Sequence, residues 1–370
     1  MPFTSSRKLA LALIAALVVI AAVLAVAHFS ADSNSAAREQ LLRIIPPDST
    51  AIIFLDLDAL RQSPFLAKLY AWAPAPSEDS EYSQFVGDSG FSYERDLEHL
   101  LLAISNHGPT TDLLAIADGK FDRKKMELIL NKNGTASQQG RWTVFHLGST
   151  AEKKKLSVTF LSNQRIAITD ATDLSAALDA ASANPSRAEW NSRFERVAGT
   201  PFFAVIRQDF AIQSALNTNA PGGFRSPQLS ALLNQLQWIS LAVKPDGDQL
   251  RLVAEGECLS EPTTTQLRDF LQGIVLLAQN GLNDPKLRQQ INPEERQAYQ
   301  EILKGADVQK LDRGEWKSVR VVLPLTTKFL DVARAASAKA PPQIQPDSAT
   351  SGTSVPTPQP AEKSRSHQKN

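Results

Sequence analysis

The run from Leu9 to Phe29, 21 residues without an Asp, Glu, Lys or Arg, constrains this chain more than any other feature. As a helix it would be about 31 Å long at about 1.5 Å per residue, enough to cross a hydrocarbon core of about 30 Å. It is apolar on every face, which a surface helix of a water-soluble fold is not. Arg7 and Lys8 flank it on the N-terminal side. The positive-inside rule then keeps residues 1–8 in the cytoplasm and sends the bulk of the chain across the inner membrane, to the periplasmic side in a two-membrane cell. A cleaved secretory signal is the alternative, with Ala25-Val26-Ala27 as the small-x-small site. The run is, however, longer than the usual apolar region of about 7–15 residues in such signals. Either reading exports the body of the protein.

Charge and cysteine content narrow the function classes. Lys plus Arg and Asp plus Glu both number 39, so the 370-residue chain is neutral overall. It lacks the basic footprint of a nucleic-acid binder, and none is expected as a partner. The single cysteine, Cys258, excludes an intramolecular disulfide framework, a Cys-rich metal centre and a lipidated cysteine after the apolar run. It continues the alternation Leu250, Leu252, Ala254, Gly256, which predicts a small core residue rather than a reactive thiol.

Seven segments are expected. They are a cytoplasmic N-terminus (1–8), a membrane segment (9–29), a polar spacer (30–45), a first α+β domain (46–182), a connecting helix (183–199), a second α+β domain (200–338) and a disordered Pro/Ser/Thr-rich tail (339–370). In the first domain AIIFLDL reads as a strand, and Ser63-Pro64 as the cap of a helix PFLAKLYAW. A helix carrying Leu97, Leu100 and Leu101 is expected after Ser92. A hairpin turning at 106–109, a helix from about Asp122 stopped by Gly134, further strands and a helix DLSAALDAA follow. The second domain repeats the order, with strand PFFAVIRQ, a helix after Ser226-Pro227, a hairpin around Lys244–Asp248 and a long helix after Pro262. The repeated order suggests duplication. The predicted fold class is two similar α+β domains with largely antiparallel sheets and covering helices, behind one transmembrane helix.

Catalytic signatures are sparse. No two of the five histidines (His28, His99, His107, His146 and His367) have the spacing of a helical zinc site, and no nucleophile elbow or phosphate-binding loop occurs. No metal or cofactor is expected. His99, three residues after Asp96, reads as its neighbour on a helix, and His146 as a hydrogen-bonded sheet residue. The candidate carboxylates are Asp56 and Asp58, which alternate along FLDLD. On one strand face they could hold a cation or perform acid–base work, or simply end a strand in solvent. Asp118 and Asp122, around Gly119, pose the same choice.

The stretches IPPDSTAIIFLDLD and SVTFLSNQRIAITD, with the flanked apolar run and the polar tail, resemble bacterial single-span envelope protein families described only as domains of unknown function. The resemblance implies an envelope location and no activity. The expected role is non-enzymatic binding or envelope organisation, with the membrane, and an envelope protein or lipid, as partners. A membrane-anchored hydrolase acting on envelope polymers through carboxylates is the alternative.

Overall fold

A computed structural model describes residues 35–339, apart from 73–79, 108–109, 149–154, 172–173, 176–177, 179–186, 198, 209–233 and 290. The apolar run 9–29, the helix expected after Ser226-Pro227, most of DLSAALDAA and the tail beyond 339 lie outside the described residues.

The strands are β1 (Ser49–Asp56), β2 (Leu97–His107), β3 (Thr110–Gly119), β4 (Gly134–Gln139), β5 (Trp142–Gly148), β6 (Lys155–Phe160), β7 (Arg165–Thr169), β8 (Phe202–Arg207), β9 (Leu236–Asp246), β10 (Gln249–Cys258), β11 (Asp307–Arg313) and β12 (Trp316–Thr326). The helices are α1 (Ser35–Leu42), α2 (Leu57–Leu60), α3 (Pro64–Trp72), α4 (Ser80–Ser89), α5 (Tyr93–Asp96), α6 (Arg123–Asn133), α7 (Arg187–Arg196), α8 (Glu261–Gly281), α9 (Pro285–Arg288), α10 (Pro293–Lys304) and α11 (Thr327–Lys339).

All twelve strands among the described residues form one antiparallel sheet in the order β11-β12-β10-β9-β8-β1-β2-β3-β7-β6-β5-β4. The expectation of two α+β domains, each with its own sheet, behind a transmembrane helix is corrected in its architecture, and residues 9–29, where that helix was placed, lie outside the described residues. The sheet is continuous, and no helix among the described residues is long and apolar enough to cross a membrane. The join is the β1–β8 pair, in which Ala51 to Leu55 run opposite Ile206 to Phe202. Both strands are apolar on both faces, and a strand of that kind belongs inside a sheet, not at an edge. Read outward from the join, the order is β1-β2-β3-β7-β6-β5-β4 on one side and β8-β9-β10-β12-β11 on the other.

Strand alternation divides the core. Ile52, Phe54, Leu101, Ile116, Phe203, Val205 and Trp238 lie on one face, under Leu41 and Leu42 of α1 and under Trp190 and Phe194 of α7. Leu55, Phe202, Ala204, Val243, Leu250 and Leu325 lie on the opposite face, under the remaining buried helices α2, α3, α10 and α11. On that same face α6 covers Phe145, Val158 and Phe160, and α8 covers Leu236, Cys258 and Val319. Phe54 and Phe203 stack at the join, with ring centroids 5.2 Å apart, and Phe194 leans on Phe203 at 5.5 Å.

Local chemistry sets the element ends. Asp122 caps α6 by accepting from Lys125 N, and Ser260 and Asn292 cap α8 and α10 in the same way. Both predicted hairpins form, β2–β3 and β9–β10, the second turning through Gly247 at φ +60. Gly134 differs from expectation: its backbone is extended, and it opens β4. A Cβ there would lie 2.4 Å from the carbonyl oxygen of His146, so the residue is small to admit a neighbouring strand, not to reverse a helix. The helix expected through Leu97–Leu101 is also corrected. Only Tyr93–Asp96 is helical, and the leucines lie in β2. Because both faces of β2 are covered, its sequence is a solid apolar block that a helical pattern fits equally well.

The shared join predicts a mechanical and thermodynamic unit. Phe203→Ala should cost about 3–5 kcal/mol, the usual range for emptying a buried aromatic site. Wild type and variant should each unfold in urea in one transition by circular dichroism. Two separated transitions would show that the flanks fold independently.

Candidate ionic site on the sheet face

The two predicted carboxylates do not share a strand face. β1 ends at Asp56, and Asp58 lies one residue inside α2. Asp56 is the N-cap of that helix, its Oδ1 accepting from Ala59 N at 2.7 Å, and it is buried. Asp58 sits near the surface and accepts from Arg61 Nη1 at 2.7 Å, while Arg61 Nη2 reaches the Leu97 carbonyl at 2.6 Å.

Sheet register builds a different constellation around Asp56. Asp56 is opposite His99, His99 is opposite Asp118, and Asp118 is opposite Arg165. One row of four strands therefore carries Asp-His-Asp-Arg on the face that holds Phe54. His99 Nε2 is 3.8 Å from Asp56 Oδ1, and its Nδ1 is 3.9 Å from Asp118 Oδ2. Arg165 grips Asp118 bidentately, Nε donating at 2.6 Å and Nη2 at 2.7 Å. Phe54 stacks on the His99 ring at 6.2 Å. Asp56, His99 and Asp118 are all buried, so this row ties strands together and is closed to a substrate. His99 was expected beside Asp96 on a helix. Asp96 instead receives Arg95 and the Ser92 N–H, and the hydrogen bond from Arg95 holds its carboxyl below the usual range. Asp122, the other carboxylate around Gly119, is only a helix cap.

A second ionic network occupies the same face on the far side of the join. Glu255 and Glu257 project from β10 toward α7 and β12. Arg193 Nη2 and Arg196 Nη1 donate to Glu257, each at 2.5 Å. Arg313 donates to Glu255 through Nε and Nη2, both at 3.0 Å, and Arg320 through Nε at 3.1 Å and Nη2 at 2.8 Å. The Arg193 guanidinium lies 3.9 Å from the Trp238 ring centroid and 5.7 Å from that of Trp316. Burial alone would raise the Glu255 carboxyl, but the hydrogen bonds from Arg313 and Arg320 outweigh it and hold it below its ordinary value. Burial pushes the Arg193 guanidinium down, against the pull of Glu257. The sequence reading missed this network because its arginines come from three separate segments, and no motif spaces them.

The remaining candidates are structural. Cys258 is buried against Leu236 and Leu267, and burial raises its thiol, so it is a poor nucleophile. His146 joins three strands, with Nε2 2.7 Å from Ser137 Oγ and Nδ1 3.1 Å from Ser157 Oγ. Among the described residues no group of three His, Cys, Asp or Glu side chains is arranged to hold a metal ion.

No family model matches the chain, and no curated protein matches it. Among solved structures, crystal form I of TP0453 aligns at 9% identity over 81% of this chain and 97% of that one, with a TM-score of 0.39. Crystal form III aligns at 8% identity over 80% and 97%, with a TM-score of 0.40. Crystal form IV aligns at 8% identity over 80% and 96%, with a TM-score of 0.41. Likeness at this level assigns neither family nor function.

The two networks make separable predictions. Asp118→Asn, which strips Arg165 of a buried partner, should lose about 3–5 kcal/mol in urea denaturation. Asp58→Asn, at a surface pair, should lose less than about 1 kcal/mol. The lowered Glu255 carboxyl stabilises the fold above the ordinary glutamate value of 4.5, and that contribution is lost as pH falls through the lower folded value. The acid-side decline in melting temperature should therefore be shallower in Glu255→Gln, and equal slopes would refute the assignment.

Proposed function

We propose that this is an exported protein of the cell envelope, held at the cytoplasmic membrane by residues 9–29, with a non-enzymatic binding or organising role for the folded body outside. The observation that carries the location is the 21-residue run without a charged side chain, preceded by Arg7 and Lys8. A binding role is supported by how the carboxylates are used. Asp56 caps a helix inside a buried ionic row and Asp58 pairs with Arg61, so the hydrolase reading through these two residues has no shared cleft to work in. Surface suited to contact is present elsewhere: α8 leaves Leu276 and Leu277 in solvent. Exposed large apolar side chains grouped on one element are a common mark of an interaction surface.

Fractionation of cells producing the full-length chain tests the location. The protein should sediment with membranes, resist extraction by alkaline carbonate and dissolve in detergent. A periplasm-dependent reporter fused after Asn370 should be active. Recovery of full-mass protein in the soluble cytosol, with a silent reporter, would overturn the proposal.

A further inference from the structure

We infer that the sheet face around Arg313 and Arg320 is a binding site for a phosphate group. The inference goes beyond the envelope role and does not depend on the compartment. Its first ground is charge. Four guanidinium groups, from Arg193, Arg196, Arg313 and Arg320, gather around the two carboxylates of Glu255 and Glu257, with the Glu189 carboxylate also acting on Arg193. Among these described groups arginines outnumber carboxylates, so the cluster is net positive at a place where low solvent access makes like-charge repulsion expensive. An anion offsets that excess.

The second ground is geometry. Arg313 and Arg320 both present their Nε–Nη2 edge to Glu255. A guanidinium is planar, so the Nη1 amino groups lie on the side away from that carboxylate. Among the described residues neither Nη1 has an acceptor within hydrogen-bonding distance. The two side chains are 27% and 32% exposed, so a ligand can reach them, whereas Arg193 at 2% is closed. Glu255 thus serves as a bracket that fixes two forks in place before a ligand arrives, which lowers the ordering cost of binding. The two Nη1 amino groups left over can each donate to phosphate oxygens, and arginines held in place by Glu255 suit them better than a flexible lysine pair would.

The third ground lies beneath the forks. Ser318 is opposite Glu257 and two residues from Arg320 on the same strand face, and its hydroxyl is fully buried with no hydrogen-bond partner among the described residues. Arg193 Nε is buried in the same condition. Trp316, opposite Arg313 at the hairpin end, supplies an apolar wall beside the forks. Ser318 Oγ and Arg193 Nε are thus two buried polar atoms at this place without a hydrogen-bond partner among the described residues.

The probe is inorganic phosphate, titrated into the detergent-solubilised full-length protein at constant ionic strength and followed by line broadening in phosphorus NMR. Wild type should broaden the signal. Arg313→Gln combined with Arg320→Gln should weaken binding by about tenfold or more, as expected when charge-assisted pairs are removed. Arg320→Lys keeps the charge but not the fork. It should bind several-fold more weakly with an unchanged circular dichroism spectrum, which separates binding from folding. Arg268→Gln, in an exposed pair on α8, should behave as wild type. Displacement of the signal by glycerol phosphate would identify soluble phosphate esters as the source. Displacement only by vesicles containing phosphatidic acid, and not by phosphatidylcholine alone, would identify a lipid headgroup. Absence of broadening in wild type, or equal broadening in wild type and Arg320→Lys, would overturn the inference.

Discussion

The antiparallel pairing of β1 with β8 is the constraint on which the rest of the molecule depends. Each strand is apolar on both sides and so cannot serve as the margin of a sheet without exposing backbone and side chains together. Paired over five residues, they convert what would be two separate sheets into one. The aromatic contact of Phe54 with Phe203, and of Phe203 with Phe194, then gives α7 its seat beside the join. Trp190 of the same helix meets Trp238 edge-on at 4.8 Å. The helix thereby rests on β8 and β9 and brings Arg193 and Arg196 to the carboxylates of β10.

Once the register is fixed, the ionic networks follow from it. A one-residue slip of any strand would turn its polar residue to the opposite, helix-covered face. Asp56, His99, Asp118 and Arg165 meet only because four strands align in one row. Glu255 faces Arg320 for the same reason. The two networks differ in sign: two carboxylates surround one arginine and a histidine on one flank, and four arginines surround two glutamates on the other. Both lie on the face that carries only α1 and α7 among the described helices with buried residues there.

Much of the fold was legible in the sequence, and the exceptions have physical causes. The hairpins β2–β3 and β9–β10, the helix start at Asp122, the strand around Cys258 and the sheet role of His146 could all be read from alternation and turn chemistry. The strands β4 (GTASQQ) and β11 (DVQKLDR) could not, because they are the sheet's two outermost strands and are largely exposed, with no apolar alternation to show. β2 was misread because a strand buried on both faces carries leucines at consecutive positions. The single sheet was hidden because pairing between β1 and β8 is a long-range event that leaves no local signature. For the candidate site, Asp56 was singled out for its residue type. Its actual partners, His99 and Asp118, come from other strands, and no spacing in the sequence announces them.

The central position of β1 decides how the molecule would bear tension. A pull transmitted through Ser35 and α1 enters the sheet at an interior strand, held by β2 on one side and β8 on the other. Directed along that strand, the load falls on two hydrogen-bond ladders at once in shear, rather than opening one ladder bond by bond as it would at a margin. A body pulled at its middle in this way would resist unravelling from that end.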